Sequence, residues 1–171
     1  MVTTPPLRTD RLLLHPLQVA DAVEMVRVLA DESLYVFTGG IPPTLPELRA
    51  RYRAQVAGSP STDQVWHNWV VRLAGTDEAV GFVQATVSGD IADVAWVVGV
   101  EWQGRGIATE AARAMCRWLL GCGVGRLLAH IHPDHAASAR VAAALGFEST
   151  GNLDADGELV WRLRSDPGAT S

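Results

Sequence analysis

Three apolar, β-branched stretches follow one another in this chain with almost nothing between them. Residues 66–73, 79–87 and 91–98 each read as a strand, and the breaks are only Gly75-Thr76-Asp77-Glu78 and Ser88-Gly89-Asp90. Connections that short make consecutive strands antiparallel neighbours, because a parallel pair needs a crossover of a dozen or more residues. The centre of the chain is thereby committed to an antiparallel meander. A doubly wound dinucleotide fold, whose strands are joined by helices, is excluded. The last of the three strands runs into Gln103-Gly104-Arg105-Gly106-Ile107-Ala108, and a helical pattern follows over residues 106–120.

The remaining elements group around this meander. Residues 11–15 read as a first strand. Asp21 is placed to cap a helix that gathers Val23, Val26 and Leu29, with Ala22 and Met25, on one side. Gly39-Gly40-Ile41-Pro42-Pro43 breaks the pattern. Thr44-Leu45-Pro46-Glu47 has the spacing of a capping box, and Leu48, Tyr52 and Val56 follow at steps of four. After the 106–120 helix, Gly121, Gly123 and Gly125 stop it. Residues 126–131 read as a fifth strand and 136–145 as an alanine-rich helix. A closing pair of strands lies near 147–151 and 158–163, with Asp154-Ala155-Asp156-Gly157 as their turn. From Ser165 onward the chain reads as a mobile tail. The order predicts an α/β sheet flanked by helices.

Bulk properties narrow the function. At 171 residues and 48% hydrophobic content, the chain reads as one domain, 1–171, with a real core. A net charge of −5 argues against a nucleic-acid partner and favours a cationic one. Cys116 and Cys122 match no metal spacing and read as small apolar helix residues. Residues 1–14 lack a cationic start followed by an apolar core, and no apolar run reaches the roughly 18 residues of a membrane helix. A cytoplasmic protein without a membrane partner is expected.

The glycine turn carries the first chemical signal. A turn from a strand into a helix N-terminus presents unpaired N–H groups and the positive end of the helix dipole, which together suit an anion. Gly104 and Gly106 let a ligand approach the backbone, and Arg105 adds a charge suited to phosphate. A phosphorylated ligand is therefore expected at this turn.

At this point the chain resembles the GNAT superfamily of N-acetyltransferases. The family signature, Gln/Arg-x-x-Gly-x-Gly/Ala between the fourth strand and third helix, is filled by Gln103, Gly106 and Ala108. A second family element, Asn-x-x-Ser/Ala followed by a helix and Gly-Phe, reads here His135-Ala136-Ala137-Ser138 and Gly146-Phe147. Leu7-Arg8-Thr9-Asp10-Arg11-Leu12 is similar to the start of the ribosomal-protein alanine acetyltransferase subgroup. The resemblance spans nearly the whole chain. It implies a mixed, mostly antiparallel central sheet of about seven strands with about four helices. It also implies acetyl-CoA as the co-substrate, without a metal. The pyrophosphate would rest on Gln103, Gly104, Arg105, Gly106, Ile107, Ala108 and Thr109. The pantetheine arm would lie between the diverging fourth and fifth strands, along Val97, Val98 and Val100 and residues 129–132, with His135 and Ser138 beside it.

Acetyl transfer to an amine sets three chemical demands. An aliphatic amine, with a reference pKa near about 10, must lose a proton before it attacks the thioester. The developing oxyanion needs a donor, and the departing thiolate benefits from an acid. Direct attack, without an acyl-enzyme, is the expected route. For the donor, a bulge after the fourth strand would free the N–H of Val98. For the base, Asp93 stands where family members carry a glutamate; as a strand-start carboxylate it can equally be merely solvated. For the acid, the tyrosine many family members use falls at Ala142 here and is absent. Ser138 is implied to contact the coenzyme sulfur, against a plain role as a first-turn helix serine.

Other residues carry open alternatives. His135 replaces the family asparagine, yet an imidazole still donates. His67 reads more readily as a half-buried structural histidine than as a substrate contact, and Glu101 as a loop carboxylate. His130, His132, Asp134 and His135 complete no metal pattern. Arg105 is favoured over Arg140 for phosphate, and Trp66, Trp69 and Trp96 are either acceptor walls or core. Two functions follow: N-acetylation of a small amine or a protein N-terminal amine, or a non-catalytic acyl-CoA sensor or scaffold. The oligomeric state is open between monomer and homodimer.

Overall fold

The computed structural model describes residues 3–165. The meander forms as the short turns require. β3 (Val65–Leu73), β4 (Ala79–Ser88) and β5 (Ile91–Val98) pair antiparallel, with Val65 opposite Val87 and Ile91 opposite Ser88. Gly89 takes φ 59° in the turn between β4 and β5. β2 (Leu12–Pro16) pairs with β3, and β1 (Leu7–Arg8) pairs with β2. β1 is the eighth strand beside the seven expected; two residues are too few for any alternation to register.

Beyond β5 the sheet changes sense. β6 (Arg126–Ile131) runs parallel to β5, but only Ile91–Asp93 and Arg126–Leu128 are in register. The pair is pinned at that end by Asp90: its carboxylate accepts from Gly125 N at 2.7 Å, and its carbonyl accepts from Gly125 and Arg126 N. A Cβ on Gly125 would lie 2.5 Å from that carboxylate. Past Asp93 and Leu128 the two strands part. β8 (Leu159–Arg164) then pairs with β6, and β7 (Glu148–Leu153) closes the edge, giving the order β1-β2-β3-β4-β5-β6-β8-β7.

Helices cover both faces. On one, α3 (Ile107–Gly121) lays Ala111, Met115 and Leu119 over Trp69, Val83, Val94 and Leu127, and α4 (Ala136–Ala144) adds Ala142. On the other, α1 (Ala22–Val28) and α2 (Leu45–Ala57) bring Met25, Leu48 and Tyr52 onto Val70, with Phe82 and Val97 at the margin. Cys116 is buried in α3, and burial pushes its thiol up to about 12, while Cys122 is exposed. Among the described residues no helix is long and apolar enough to cross a membrane.

Four local expectations are corrected. Asp21 does not cap α1 with its side chain, because its carboxylate accepts from Gln18 N at 2.8 Å and Arg72 Nη2 at 2.9 Å. The seven-residue α1 buries Ala22, Met25 and Val28, and Val23 is 50% exposed. The Thr44–Glu47 capping box forms and α2 buries Leu48 and Tyr52, but Val56 projects outward, 52% exposed. Of the expected tail, Ser165 is tied by its N–H to Gly125 O at 3.1 Å, and residues 166–171 lie outside the described residues.

Candidate active site

The parting of β5 and β6 opens a cleft of about 800 Å³. One wall is β5 from Val94 to Val98 and the other is Ala129–His132, the stretch expected from the family resemblance. Gly99 N donates to Val80 O at 2.8 Å, which fixes the alternation of the β4–β5 ladder. Val97 therefore bonds toward β4, while the N–H and C=O groups of Trp96 and Val98 point into the gap. Gln103 Nε2 takes the Val98 carbonyl at 3.0 Å and leaves its N–H facing the cleft. The expected bulge is not the cause. The β4–β5 register runs unbroken from Ser88–Ile91 to Gly81–Val98, and divergence from β6 frees the group instead.

The glycine turn closes one end of the cleft. Gly104 (φ 75°) and Gly106 (φ 77°) are both left-handed, a conformation that strains any other residue. Gly106 is the N-cap of α3 and has no side chain to satisfy the first-turn amides, so these remain available. Gln103, Gly104 and Gly106 line the cleft, followed by Ile107, Ala108 and Thr109 of α3. Arg11 supports this turn from outside. Its Nη1 donates to the Arg105 carbonyl at 3.0 Å, and its Nε donates to Glu110 Oε2 at 2.7 Å. Thr9 Oγ1 donates to Glu110 Oε1 at 2.6 Å.

Two residues expected at the coenzyme stand apart. Arg105 is outside the cleft lining, its Nη2 spent on the Glu101 carbonyl at 3.1 Å. Val100 lies on an exposed 3-10 turn and is also outside the lining. Arg140, the lesser candidate, reaches the lining from α4.

His135 and Ser138 meet at the N-terminus of α4. His135 Nδ1 accepts from Ser138 N at 3.4 Å, and its Nε2 is 3.1 Å from Ser138 Oγ. Burial, then the nearby His132, lowers the pKa of His135 and favours the neutral ring. With Nδ1 accepting, the proton sits on Nε2 and is donated to Ser138 Oγ. The hydroxyl hydrogen of Ser138 is then free to point into the cleft. Phe37, which carries no sequence signal, stacks on His135 with ring centroids 4.5 Å apart and lines the cleft. Ala142, at the family's tyrosine position, is fully buried in the core.

Asp93 is the third residue of β5, 51% exposed, and its carboxylate is not alone. His130 Nε2 lies 2.9 Å from Asp93 Oδ1, and His130 Nδ1 lies 2.8 Å from Asp154 Oδ2 on the β7–β8 turn. Burial works against charging His130, but the two carboxylates outweigh it and raise its pKa. As an imidazolium it donates to both. Glu158 also lines the cleft; burial, then Asp154, raises its pKa. The bridging role of His130 was not readable in sequence, since its partners are 37 and 24 residues away.

The remaining candidates separate cleanly. His67 is buried at 4% exposure among Trp69 and Trp118 and bonds Thr4 at 2.8 Å, a structural histidine away from the cleft. Trp69 is core, donating to Pro5 O at 2.7 Å, whereas Trp96 lines the cleft. His132 and Asp134 line the cleft beside His135, and the closest ligand-type group among the described residues is instead Asp154, Asp156 and Glu158.

Comparison with known proteins agrees with this geometry. The sequence matches the family model described as an acetyltransferase (GNAT) domain over residues 11–148. Three solved structures share the fold. A GNAT-family acetyltransferase from Bacillus anthracis is 19% identical, with a TM-score of 0.79 over 94% of this chain and 98% of that one. An acetyltransferase from Agrobacterium tumefaciens str. C58 is 25% identical, with a TM-score of 0.76 over 96% and 97%. RimL, a ribosomal L7/L12 alpha-N-protein acetyltransferase in complex with coenzyme A, is 12% identical, with a TM-score of 0.78 over 95% and 99%. No curated protein matches the sequence. With a family match across four-fifths of its length, and a splayed sheet ending in a glycine turn, this chain belongs to the GNAT acetyltransferase family.

Proposed function

We propose that this protein transfers an acetyl group from acetyl-CoA to a primary amine by direct attack on the thioester. The observation that carries the reading is the cleft itself, where strand divergence leaves backbone donors unpaired next to a side-chain-free helix N-terminus. The residues suit the ligand. An amide-bearing pantetheine arm can add hydrogen bonds to the outward edge of β5, and a pyrophosphate can take the amides around Gly104–Ala108. A similar fold, that of RimL, holds coenzyme A.

Within this reading each residue has one task. The Val98 N–H donates to the thioester oxygen as negative charge develops there. Asp93, just outside the cleft lining, receives the amine proton through a file of waters along β5, with His130 holding its Oδ1 and leaving Oδ2 free. The Ser138 hydroxyl, with His135 donating to its oxygen, turns its hydrogen toward the sulfur. Arg140, which lines the cleft where Arg105 does not, is the arginine available to the phosphates.

Free thiol release tests the proposal. The protein is mixed with acetyl-CoA and a panel of primary amines, and amine-dependent thiol is expected. Tight coenzyme binding without turnover on any amine would replace catalysis with a sensor or scaffold role. Failure to bind coenzyme A would sink both.

A further inference from the structure

Between α1 and α2 the chain passes along the cleft, and Ser33, Leu34, Phe37 and Thr38 line it. This stretch has its own frame. Ser33 N donates to Asp31 Oδ1 at 2.9 Å, and the Tyr35 hydroxyl donates to the Leu29 carbonyl at 2.8 Å. Gly39 N donates to the Tyr35 carbonyl at 2.8 Å, which closes a turn around residues 36–38. Val36 is 70% exposed and Thr38 is exposed, so Phe37 alone of the three is turned inward. Its ring meets two imidazoles on the far side of the cleft. His135 lies at 4.5 Å between centroids with the planes 22° apart, and His132 at 5.1 Å with the planes 41° apart.

His135 is poorly held without that contact. Its two ring hydrogen bonds both go to Ser138, within the first turn of α4. The bond from Ser138 N, at 3.4 Å, is longer than the 2.7–3.2 Å usual for an N–H donor. The last torsion of a histidine is broad, so two local bonds of this kind choose which ring edge faces Ser138 but leave the plane loose. Phe37 supplies the plane: a near-parallel ring at that distance resists a swing of the imidazole out of the stack. It also takes water from one face of the ring, in keeping with burial as the main cause of the lowered His135 pKa. His132 is bonded elsewhere, its Nδ1 accepting from Asp134 N at 3.0 Å, and its carbonyl accepts from His135 N at 2.9 Å.

We infer that Phe37 is a positioning residue for the transfer step: by stacking on His135 it aims the Nε2 proton at Ser138 Oγ, and so turns the Ser138 hydroxyl hydrogen toward the coenzyme sulfur. The inference rests on the acetyl-transfer reading and adds to it a residue from the α1–α2 connection, which carries none of the groups assigned there. Phe37 acts through His135 and Ser138, so its effect belongs to the departure of the thiolate. A ring that only roofed the cleft would act independently of Ser138.

The test compares wild type with Phe37→Leu, which keeps apolar bulk without a ring, and Phe37→Tyr, which restores the ring. The first readout needs no turnover. In the coenzyme A-saturated protein the His135 Nε2 proton, identified by its absence in His135→Gln, is followed by nitrogen–proton NMR. A protected resonance is expected in wild type and Phe37→Tyr and is expected to vanish through exchange in Phe37→Leu. The second readout is thiol release at saturating acetyl-CoA and amine. Phe37→Leu should lower kcat about tenfold, and in a Ser138→Ala background the same change should cost less than about twofold. A resonance absent from wild type, or one that persists in Phe37→Leu, would overturn the inference. So would a Phe37→Leu penalty that stays tenfold without the serine hydroxyl. If the resonance behaves as expected but no amine yields thiol, acetyl transfer falls and the hold of Phe37 on His135 stands. If thiol is released and the resonance is indifferent to Phe37, only the positioning role falls.

Discussion

Arg11 and Glu110 are joined by a charged pair at 2.7 Å, and the same guanidinium donates to the Arg105 carbonyl at 3.0 Å. One arginine on the chain's first turn thereby fixes both sides of the glycine turn. Arg11 is half exposed, so Arg11→Met should lower stability by only about 0.5–1 kcal/mol. Coenzyme A affinity should fall several-fold, because the amides of the turn lose their fixed direction. Calorimetric titration beside a denaturant melt separates the two. Equal affinity in the variant would mean that the turn holds its shape unaided.

Gly106 sits at φ 77° with Arg11 Nη2 3.5 Å from where a Cβ would stand. Gly106→Val combines a left-handed β-branched residue with a crowded N-cap, a strain of about 1–3 kcal/mol. Coenzyme binding should be lost before the fold is. Retained affinity in a folded variant would move the anion seat away from α3.

Asp93→Asn keeps the shape of the side chain and its hydrogen bond to His130 but removes the proton acceptor. Coenzyme affinity should stay near wild type, while the rate falls by about 100-fold or more. The acid limb of the pH–rate profile should flatten. An unchanged profile would take Asp93 out of the base role.

His130 makes stability depend on pH, and the sign follows from its raised pKa. Asp93 and Asp154 favour the imidazolium in the folded state, so the contribution is complete below the unfolded value near about 6.5 and is lost as pH rises through the higher folded value. The ring is one-third exposed, which keeps the effect small. His130→Gln should remove it. Unfolding free energies of the two proteins, measured from mildly acidic to mildly alkaline pH, should converge as pH rises. Parallel curves would show that His130 is not charged between the carboxylates.

Much of this arrangement was legible in sequence because it depends on local rules. Short turns imposed the meander, and the Thr44–Glu47 box marked the start of α2. The glycine turn announced its own chemistry, since backbone exposure there needs no distant partner. The failures share one cause. Asp21 looked like a cap until Arg72, 51 residues away, took its carboxylate. Arg105 looked like a phosphate ligand until its guanidinium folded back onto Glu101. Phe37 and the Asp93–His130–Asp154 bridge depend wholly on which segments the sheet brings side by side. Backbone periodicity is written along the chain, but side-chain partners are chosen across it.

The contact between Asp90 and Gly125 gives β5 and β6 a pivot at one end. From Asp93 to Val98 the edge of β5 that parts from β6, its other edge still bonded to β4, forms an arm of about 17 Å at roughly 3.4 Å per residue. A small rotation at the pivot is multiplied along that arm, so the gap at Val98 is gauged by a residue that never meets the ligand. A methyl group at position 125 would act as a wedge under the short end of a lever. The width of the cleft is thus adjustable from outside it, by changes that leave every lining side chain untouched.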